Sequence, residues 1–464
     1  MELYNLTARQ MVEEVKRKKS SVRDINESCV KRIAELEDSL HVWAYFDKEL
    51  TLKQIERIEK SEKEAPHNGL LLGVPVGIKD VFNTEDMPTR MGSSTWEGFH
   101  PGNDARVVHS IKMEGGIVMG KTVTAEFAVH QLGPTRNPHN INHSPGTSSS
   151  GSAVAVATCM VPIALGTQTA GSIIKPASYC GVYGYKPTFG LLPRTGILKT
   201  VDSLDHVGFF ARDIADLRLA LDVMRVRGEN YPYVYEYIDS KKNSRKKNGK
   251  VWRVAFAKTH IWDYTEDYTK TAIERFARKL SKEKGIEVRE VVLPDEFKES
   301  HRIHAHIYNK ALSYYFKEEV ESMPHEISDI FKGMADEGRK ISLDEYRGWL
   351  ERQNELEHLL EVFFKDYDVV IATSTAGEAP EIENFLDEKL DTSLIWTLCR
   401  APSINVPLFK GPKALPFGAQ FVSRKYNDYV LVSFLEDLAD RGIISVAGVA
   451  SVNNALEPAR SMKY

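Results

Sequence analysis

Hydroxyl and glycine residues concentrate in two short loops, residues 146–152 (GTSSSGS) and 166–172 (GTQTAGS), and their serines are the residues there that can act as nucleophiles. Such runs more often join domains as flexible linkers. That reading fits poorly, because apolar segments border both loops closely. A phosphate-binding loop is the next alternative, since Gly146 and Gly151 have the G-x-x-x-x-G spacing. Ser152, however, stands where the phosphate-binding lysine is required. Neither loop contains the G-x-S-x-G of a nucleophile elbow. What remains is a nucleophilic serine whose base is not a nearby histidine.

The segment between the loops must position them. Residues 153–160, rich in Ala and Val, read as a buried helix opening at the first loop; residues 161–165, after the break at Pro162, read as a short buried strand. A helix of about ten residues climbs roughly 15 Å, and about five strand residues return roughly 16 Å. If the two run antiparallel, residues 167–172 come back to Ser148 at the start of the helix, and the loops face each other across one small site.

At this point the chain resembles a known family. Pro145-Gly146-Thr147-Ser148-Ser149-Ser150-Gly151-Ser152-Ala153, followed by Leu165-Gly166-Thr167-Gln168-Thr169-Ala170-Gly171-Ser172-Ile173, is similar to the amidase signature family of serine hydrolases. The match continues through Cys180-Gly181-Val182, Lys186-Pro187-Thr188 and Ser203-Leu204-Asp205. Upstream, Gly73-Val74-Pro75-Val76-Gly77-Ile78-Lys79-Asp80 resembles the strand that carries the family's catalytic lysine. The resemblance implies a Ser-Ser-Lys triad: Ser172 as nucleophile, Ser148 as a bridging serine that precedes a cis peptide, and Lys79 as base. It also places the oxyanion hole on the backbone N–H groups of Thr169, Ala170, Gly171 and Ser172, and implies no metal or cofactor. Three positions depart from the family pattern: Gln168 where Asp is usual, Ala170 where Gly is usual, and Ile174-Lys175 where an Arg commonly follows the Ser-Ile pair.

Strand alternation places the lysine. Residues 71–78 read as a strand in which Val74, Val76 and Ile78 face one way and Pro75, Gly77 and Lys79 the other. Asp80 then projects away from Lys79. A base at neutral pH must be a free amine, so the lysine pKa has to fall from about 10.4 to near neutrality, which burial can supply. A carboxylate touching Lys79 would oppose that.

At 464 residues with 42% hydrophobic composition, the chain can bury a large core, and a formal charge of -4 gives no case for nucleic acid or an anionic membrane as partner. Cys29, Cys159, Cys180 and Cys399 show no metal-type spacing and are expected to be reduced and buried, with Cys180 structural despite its place near the site. MELYNLTARQ lacks the regions of a signal peptide, and no apolar run reaches about twenty residues, so a cytoplasmic protein is expected.

Elsewhere the patterns are those of a scaffold. Thr7 with Gln10 and Ser21 with Asp24 make capping boxes; on the second helix Ile25, Cys29, Ile33 and Leu36 share one face. Residues 104–114 read as a helix and 116–120 as a strand. Glu126-Phe127 and Asn137-Pro138 resemble family positions around the site, though packing and turn formation explain them equally well. The basic run 241–250 (KKNSRKKNGK) reads as a solvated loop rather than a polyanion site. Strands are expected at 251–257, 286–293 and 367–372, with helices at 266–280 and through the charged stretch to 364.

The family pattern returns at Ala401-Pro402-Ser403 and Leu415-Pro416-Phe417-Gly418-Ala419-Gln420. The tail beyond Arg441 is expected to cover a sheet edge or join two subunits. The resemblance implies an α/β fold, a large mixed β-sheet core surrounded by helices, as one domain over 1–464: a helical region 1–65, a signature core 66–225, a variable substrate-shaping region 226–400, and a return to the core with a tail, 401–464. The expected activity is hydrolysis of a small-molecule carboxamide through an acyl-enzyme by a monomer or homodimer. The alternatives are the glutaminase subunit of a tRNA-dependent amidotransferase and a non-catalytic binding protein on the same scaffold.

Overall fold

Thr7 with Gln10, and Ser21 with Asp24, exchange the reciprocal hydrogen bonds of a capping box, and helices Ala8–Lys16 and Val22–Leu40 start from them. Ile25, Cys29, Ile33 and Leu36 are all buried on the second helix, as their spacing predicts. The structure, a computed structural model, describes residues 2–64, 68–228, 231, 237–238, 251–387, 391–448 and 450. The basic run 241–250 and nearly all of the tail after 448 lie outside the described residues.

Eleven described strands form a single mixed sheet: β1 (Trp43–Phe46), β2 (Pro75–Lys79), β3 (Ile117–Thr122), β4 (Ile163–Gln168), β5 (Tyr183–Lys186), β6 (His206–Ala211), β7 (Trp252–Lys258), β8 (Ile286–Val292), β9 (Val369–Thr373), β10 (Ser403–Lys410) and β11 (Pro416–Ser423). Their order is β1-β3-β2-β4-β6-β5-β10-β11-β9-β7-β8. β2 runs parallel to both β3 and β4, and β7 runs parallel to β8 and β9, whereas the other pairs are antiparallel. β2, β3, β4 and β6 are buried along their whole length, so helices cover both faces of this part of the sheet.

Several boundaries differ from expectation for physical reasons. Residues 43–46, within the stretch read as helical, form the edge strand β1 paired with β3. The helix between the loops is Ser150–Ala157, three residues earlier than its apolar composition suggests. Its first turn holds Gly151, where a Cβ would lie 2.5 Å from Val42 O and from Val123 N. Ser152 Oγ donates to Leu165 O at 2.7 Å. Small residues here serve close packing against strands rather than a loop. The following strand is β4, residues 163–168, so the expected second loop begins only at Thr169.

Between β8 and β9, helices Ser300–Tyr315, Lys317–Ser322, Asp329–Lys340 and Leu343–Phe363 build a second core around Ile303, Ile307, Leu312, Phe331 and Leu360. Phe127 belongs to it, its ring 4.7 Å from that of Phe316 and 5.2 Å from that of Phe331. The described start of the tail packs on its own chain: Ala447 N–H donates to Arg212 O (2.8 Å) and Ala450 N–H to Ala157 O (3.0 Å). No described helix is long and apolar enough to cross a membrane.

Candidate active site

β2 and β4 are parallel neighbours, with Val76 opposite Ile163 and Gly77 opposite Ala164, so Lys79 and Thr167 emerge together at their C-terminal ends. The helix Ser150–Ala157 starts at that same place. Ser149 Oγ accepts from Thr167 N–H (3.3 Å) and donates to Thr167 O (3.2 Å), which closes the first loop onto the second as the length argument requires.

Lys79 Nζ lies 2.7 Å from Ser148 Oγ, 2.8 Å from Thr167 Oγ1 and 3.0 Å from Ser149 Oγ. Lys79, Ser148 and Ser149 have no exposed surface. Burial holds the lysine pKa well below its ordinary value, and the charge of Asp205 only partly opposes this. A neutral amine has two N–H donors and one lone pair, so one of three surrounding hydroxyls must donate back to nitrogen. The Ser149 hydrogen is committed to the Thr167 carbonyl, which leaves Ser148 or Thr167.

The nearby carboxylates are engaged elsewhere. Asp80 pairs with Lys121 Nζ at 3.0 Å, both residues buried, and accepts Arg90 N–H at 3.1 Å, so it faces away from Lys79 as the alternation predicts. Asp205 accepts from Thr200 N–H and Oγ1, Val201 N–H and Thr169 Oγ1.

Beyond β4 the chain turns through Thr169, Ala170, Gly171 and Ser172 into the helix Ile174–Cys180. Ser172 is partly exposed, whereas Ser148, Ser149, Ser150 and Ser152 are buried. The carbonyls of the turn are held from behind. His304 Nε2 contacts Thr169 O at 2.8 Å, and Thr397 Oγ1 donates to Ala170 O at 2.7 Å. Burial lowers the His304 pKa to about 4, so the ring is neutral and its proton sits on Nε2, facing the carbonyl. None of the described hydrogen bonds is donated by the N–H of Ala170, Gly171 or Ser172. None joins Ser148 Oγ to Ser172 Oγ.

The departures at 168, 170 and 175 have local reasons. Gln168 Oε1 accepts Ile173 N–H (2.8 Å) and Ile174 N–H (3.0 Å) while its Nε2 donates to Thr397 Oγ1 (2.8 Å); an aspartate could not make the last of these bonds. Ala170 does not adopt a left-handed φ, so a methyl side chain is tolerated. Lys175 Nζ lies 3.5 Å from the Asp391 carboxylate, which presses so closely on Gly171 that a Cβ there would fall 1.9 Å from Oδ2. Burial pushes the Asp391 pKa upward, but Lys175, the Ser393 hydrogen bonds and His301 outweigh it and leave the carboxyl below its ordinary value.

Other expected residues resolve as scaffold. The non-proline cis peptide lies between Thr147 and Ser148, so it leads into Ser148 rather than following it. Glu126 accepts Ser328 N–H and Oγ–H at the start of helix Asp329–Lys340. Asn137 Nδ2 bridges Ser144 O and Tyr179 O. Cys180 is buried with Sγ against Pro145 O, and burial raises its thiol pKa. All four cysteines are buried and free. Sequence reasoning missed Ser149 and Thr167 as lysine partners, and His304, Thr397 and Asp391 around the turn. Ser149 and Thr167 lay inside the quoted motifs; the other three carry no local signal.

Comparison with known proteins gives a consistent result. The family model described as Amidase matches residues 24–432. The chain is 28% identical over 469 residues to the A-type subunit of glutamyl-tRNA(Gln) amidotransferase from Clostridium botulinum, covering 93% of this chain and 96% of that protein. It is 30% identical over 477 residues to the protein of the same name from Halothermothrix orenii, covering 92% and 95%. Among solved structures, the peptide amidase of Stenotrophomonas maltophilia superposes with a TM-score of 0.81 at 24% identity, covering 97% of this chain and 99% of that one.

Proposed function

The chain belongs to the amidase family, enzymes that hydrolyse carboxamide C–N bonds, and from that premise we propose that it works through an acyl-enzyme on Ser172 with Ser148 as relay and Lys79 as base. The observation that carries this reading is the fully buried Lys79 amine 2.7 Å from Ser148 Oγ, with its pKa well below the ordinary range. Of the two hydroxyls left to meet the nitrogen lone pair, Ser148 is the one assigned that role. Its proton passes to Lys79 as it receives the proton of Ser172, whose oxygen forms a bond to the amide carbonyl carbon.

The π pair of that carbonyl becomes an oxyanion facing the N–H groups of Thr169, Ala170, Gly171 and Ser172, where one such donor is worth roughly 3 kcal/mol. Collapse of this intermediate breaks the C–N bond. Ser148 protonates the departing nitrogen and is reprotonated by Lys79, so charge and protons balance. Water then repeats the sequence on the acyl-Ser172 ester and releases the carboxylic acid. The Ser148 and Ser172 hydroxyls must close to hydrogen-bond distance during the first transfer.

Ammonia or amine release from a panel of aliphatic, aromatic, peptide and urea-type amides tests the reading. The purified chain alone is expected to turn over at least one class, and Ser172→Ala to abolish that turnover. A second reading is favoured by the relatives that are A-type subunits of an amidotransferase: a glutaminase that functions in a complex. Gln168 and Ala170 weigh against it. Ammonia release from glutamine only after partner subunits are added, with no activity of the lone chain on any amide, decides for that alternative. A non-catalytic role is disfavoured by an uncharged lysine kept buried among hydroxyls. The four buried, free cysteines suit a reducing, cytoplasmic setting.

A further inference from the structure

Two side chains that the mechanism above leaves idle are bonded to the backbone that would receive the oxyanion. His304, on the helix Ser300–Tyr315, donates to the Thr169 carbonyl, and Thr397, on the short helix Leu394–Leu398 packed against it, donates to the Ala170 carbonyl. In a peptide group the C=O and the following N–H belong to one conjugated unit. A hydrogen bond accepted by the oxygen draws electron density from the nitrogen and makes its N–H a stronger donor. The Thr169 carbonyl is conjugated with the Ala170 N–H, and the Ala170 carbonyl with the Gly171 N–H.

We propose that His304 and Thr397 are positioning residues that orient and polarise the Thr169–Ala170 and Ala170–Gly171 peptide groups, so that the Ala170 and Gly171 N–H groups meet the developing oxyanion. This rests on the assignment of Ser172 as nucleophile. Orientation and polarisation act together, because anchoring each carbonyl on the protein side prevents its peptide from flipping an oxygen toward the anion.

Both donors are themselves held. His304 is 4% exposed, and its ring packs 5.4 Å from that of Tyr308. Burial, with His301 and His130 acting in the same direction, outweighs the opposing Thr169 carbonyl bond and Asp391 charge and keeps the imidazole neutral. Thr397 has no exposed surface and receives the Gln168 Nε2–H at 2.8 Å, which leaves its own hydrogen for the Ala170 carbonyl at 2.7 Å rather than its more distant alternative, Ser393 O at 3.4 Å. Gln168 is anchored in turn by the Ile173 and Ile174 N–H groups. The relay Gln168 to Thr397 to Ala170 explains a glutamine at 168 and ties it to a residue 229 positions away.

Removing an oxyanion donor outright costs about 100- to 1000-fold in rate. Hydrogen-bond cooperativity of about 10–30% per bond then makes each polarising contact worth roughly 2- to 8-fold. The test uses the full chain and diisopropyl fluorophosphate, which forms a Ser Oγ–P bond, expels fluoride and leaves a phosphoryl oxygen at the oxyanion position. Thr397→Val, nearly isosteric, is expected to slow labelling of Ser172 by that factor and to move the phosphorus NMR shift of the adduct toward its value in the unfolded adduct, both read at a temperature where urea unfolding shows the variant fully folded. Thr397→Ser restores both. His304→Phe behaves like Thr397→Val, and His304→Gln, which keeps a donor near the Nε2 position, recovers part of the loss.

The proposal is overturned if Thr397→Val and His304→Phe label at the wild-type rate, or if labelling slows while the phosphorus shift stays fixed, since that reports a merely structural role. Labelling that persists in Ser172→Ala refutes the nucleophile assignment instead.

Discussion

Replacing Lys79 with methionine tests the charge state on which the mechanism depends, through folding rather than catalysis. The folded-state pKa of Lys79 lies well below its ordinary value because the amine is buried. Between the folded pKa and the unfolded value of about 10.4, the unfolded chain binds one proton more than the native one. Wild-type stability therefore gains from this group as pH rises, by about 1.36 kcal/mol per pH unit.

Lys79→Met also deletes three hydrogen bonds, each worth roughly 0.5–1.5 kcal/mol and more where a hydroxyl is left unpaired. Those losses do not vary with pH, and the titration of every other group cancels between the two proteins. The stability difference, wild type minus variant, is thus expected to grow from pH 7 to pH 9, by at most about 2.7 kcal/mol. Equilibrium urea unfolding of both proteins at pH 7, 8 and 9 measures it. A difference that stays flat across this range shows Lys79 to be charged in the folded protein and removes the base from the mechanism.

Four further outcomes follow from the same geometry. The kcat/KM for any amide substrate should rise with pH along a limb set by Lys79 deprotonation, and Lys79→Ala should be inactive at every pH; near-normal activity of that variant refutes the role. Thr167→Val and Ser149→Ala each remove one partner of the lysine amine and should lower kcat about tenfold with little change in KM, an effect of roughly 1.4 kcal/mol on the barrier; unchanged kcat would make these contacts irrelevant to the base. Lys121→Met leaves Asp80 buried without its cation and should cost about 3–5 kcal/mol in urea unfolding, part of which Asp80→Asn in the same chain recovers. Cys180 should resist iodoacetamide at pH 8 in the folded enzyme, because burial raises its thiol pKa; rapid carboxymethylation there would contradict the buried placement.

The parts of this fold that could be read from sequence are those governed by short-range physics. The capping boxes at Thr7 and Ser21 place two helices to within a residue or two. Alternation along 74–79 correctly separated Lys79 from Asp80, and helix and strand lengths brought Thr167 back to the loop at Ser148. Two features misled. Ser150, Gly151 and Ser152 have the propensities of a loop, yet they form a helical turn because only small residues fit against Val42 and Val123. The strand Trp43–Phe46 is short and has its partner far along the chain, so nothing local distinguished it from the helices on either side.

The site divides the same way. Lys79, Ser148 and Ser172 lie in dense, recognisable motifs. Among consecutive serines, however, spacing alone does not say which hydroxyls meet the amine, and Ser149 was passed over. His304, Thr397 and Asp391 stand in helical or irregular sequence with no motif of their own, and only the fold carries them to the turn at 169–172.

The most direct test of the central claim is to map the adduct of a serine-directed sulfonyl fluoride by peptide mass spectrometry. One adduct is expected, on the peptide containing Ser172, because attack and oxyanion stabilisation converge only at the turn whose N–H groups carry no described hydrogen bond. Ser172→Ala should abolish labelling, Lys79→Ala should slow it by orders of magnitude, and Ser148→Ala should slow it less, since water can partly replace a hydroxyl relay. An adduct on Ser148 or Cys180, or a Ser172→Ala variant that still hydrolyses amides, would contradict the account.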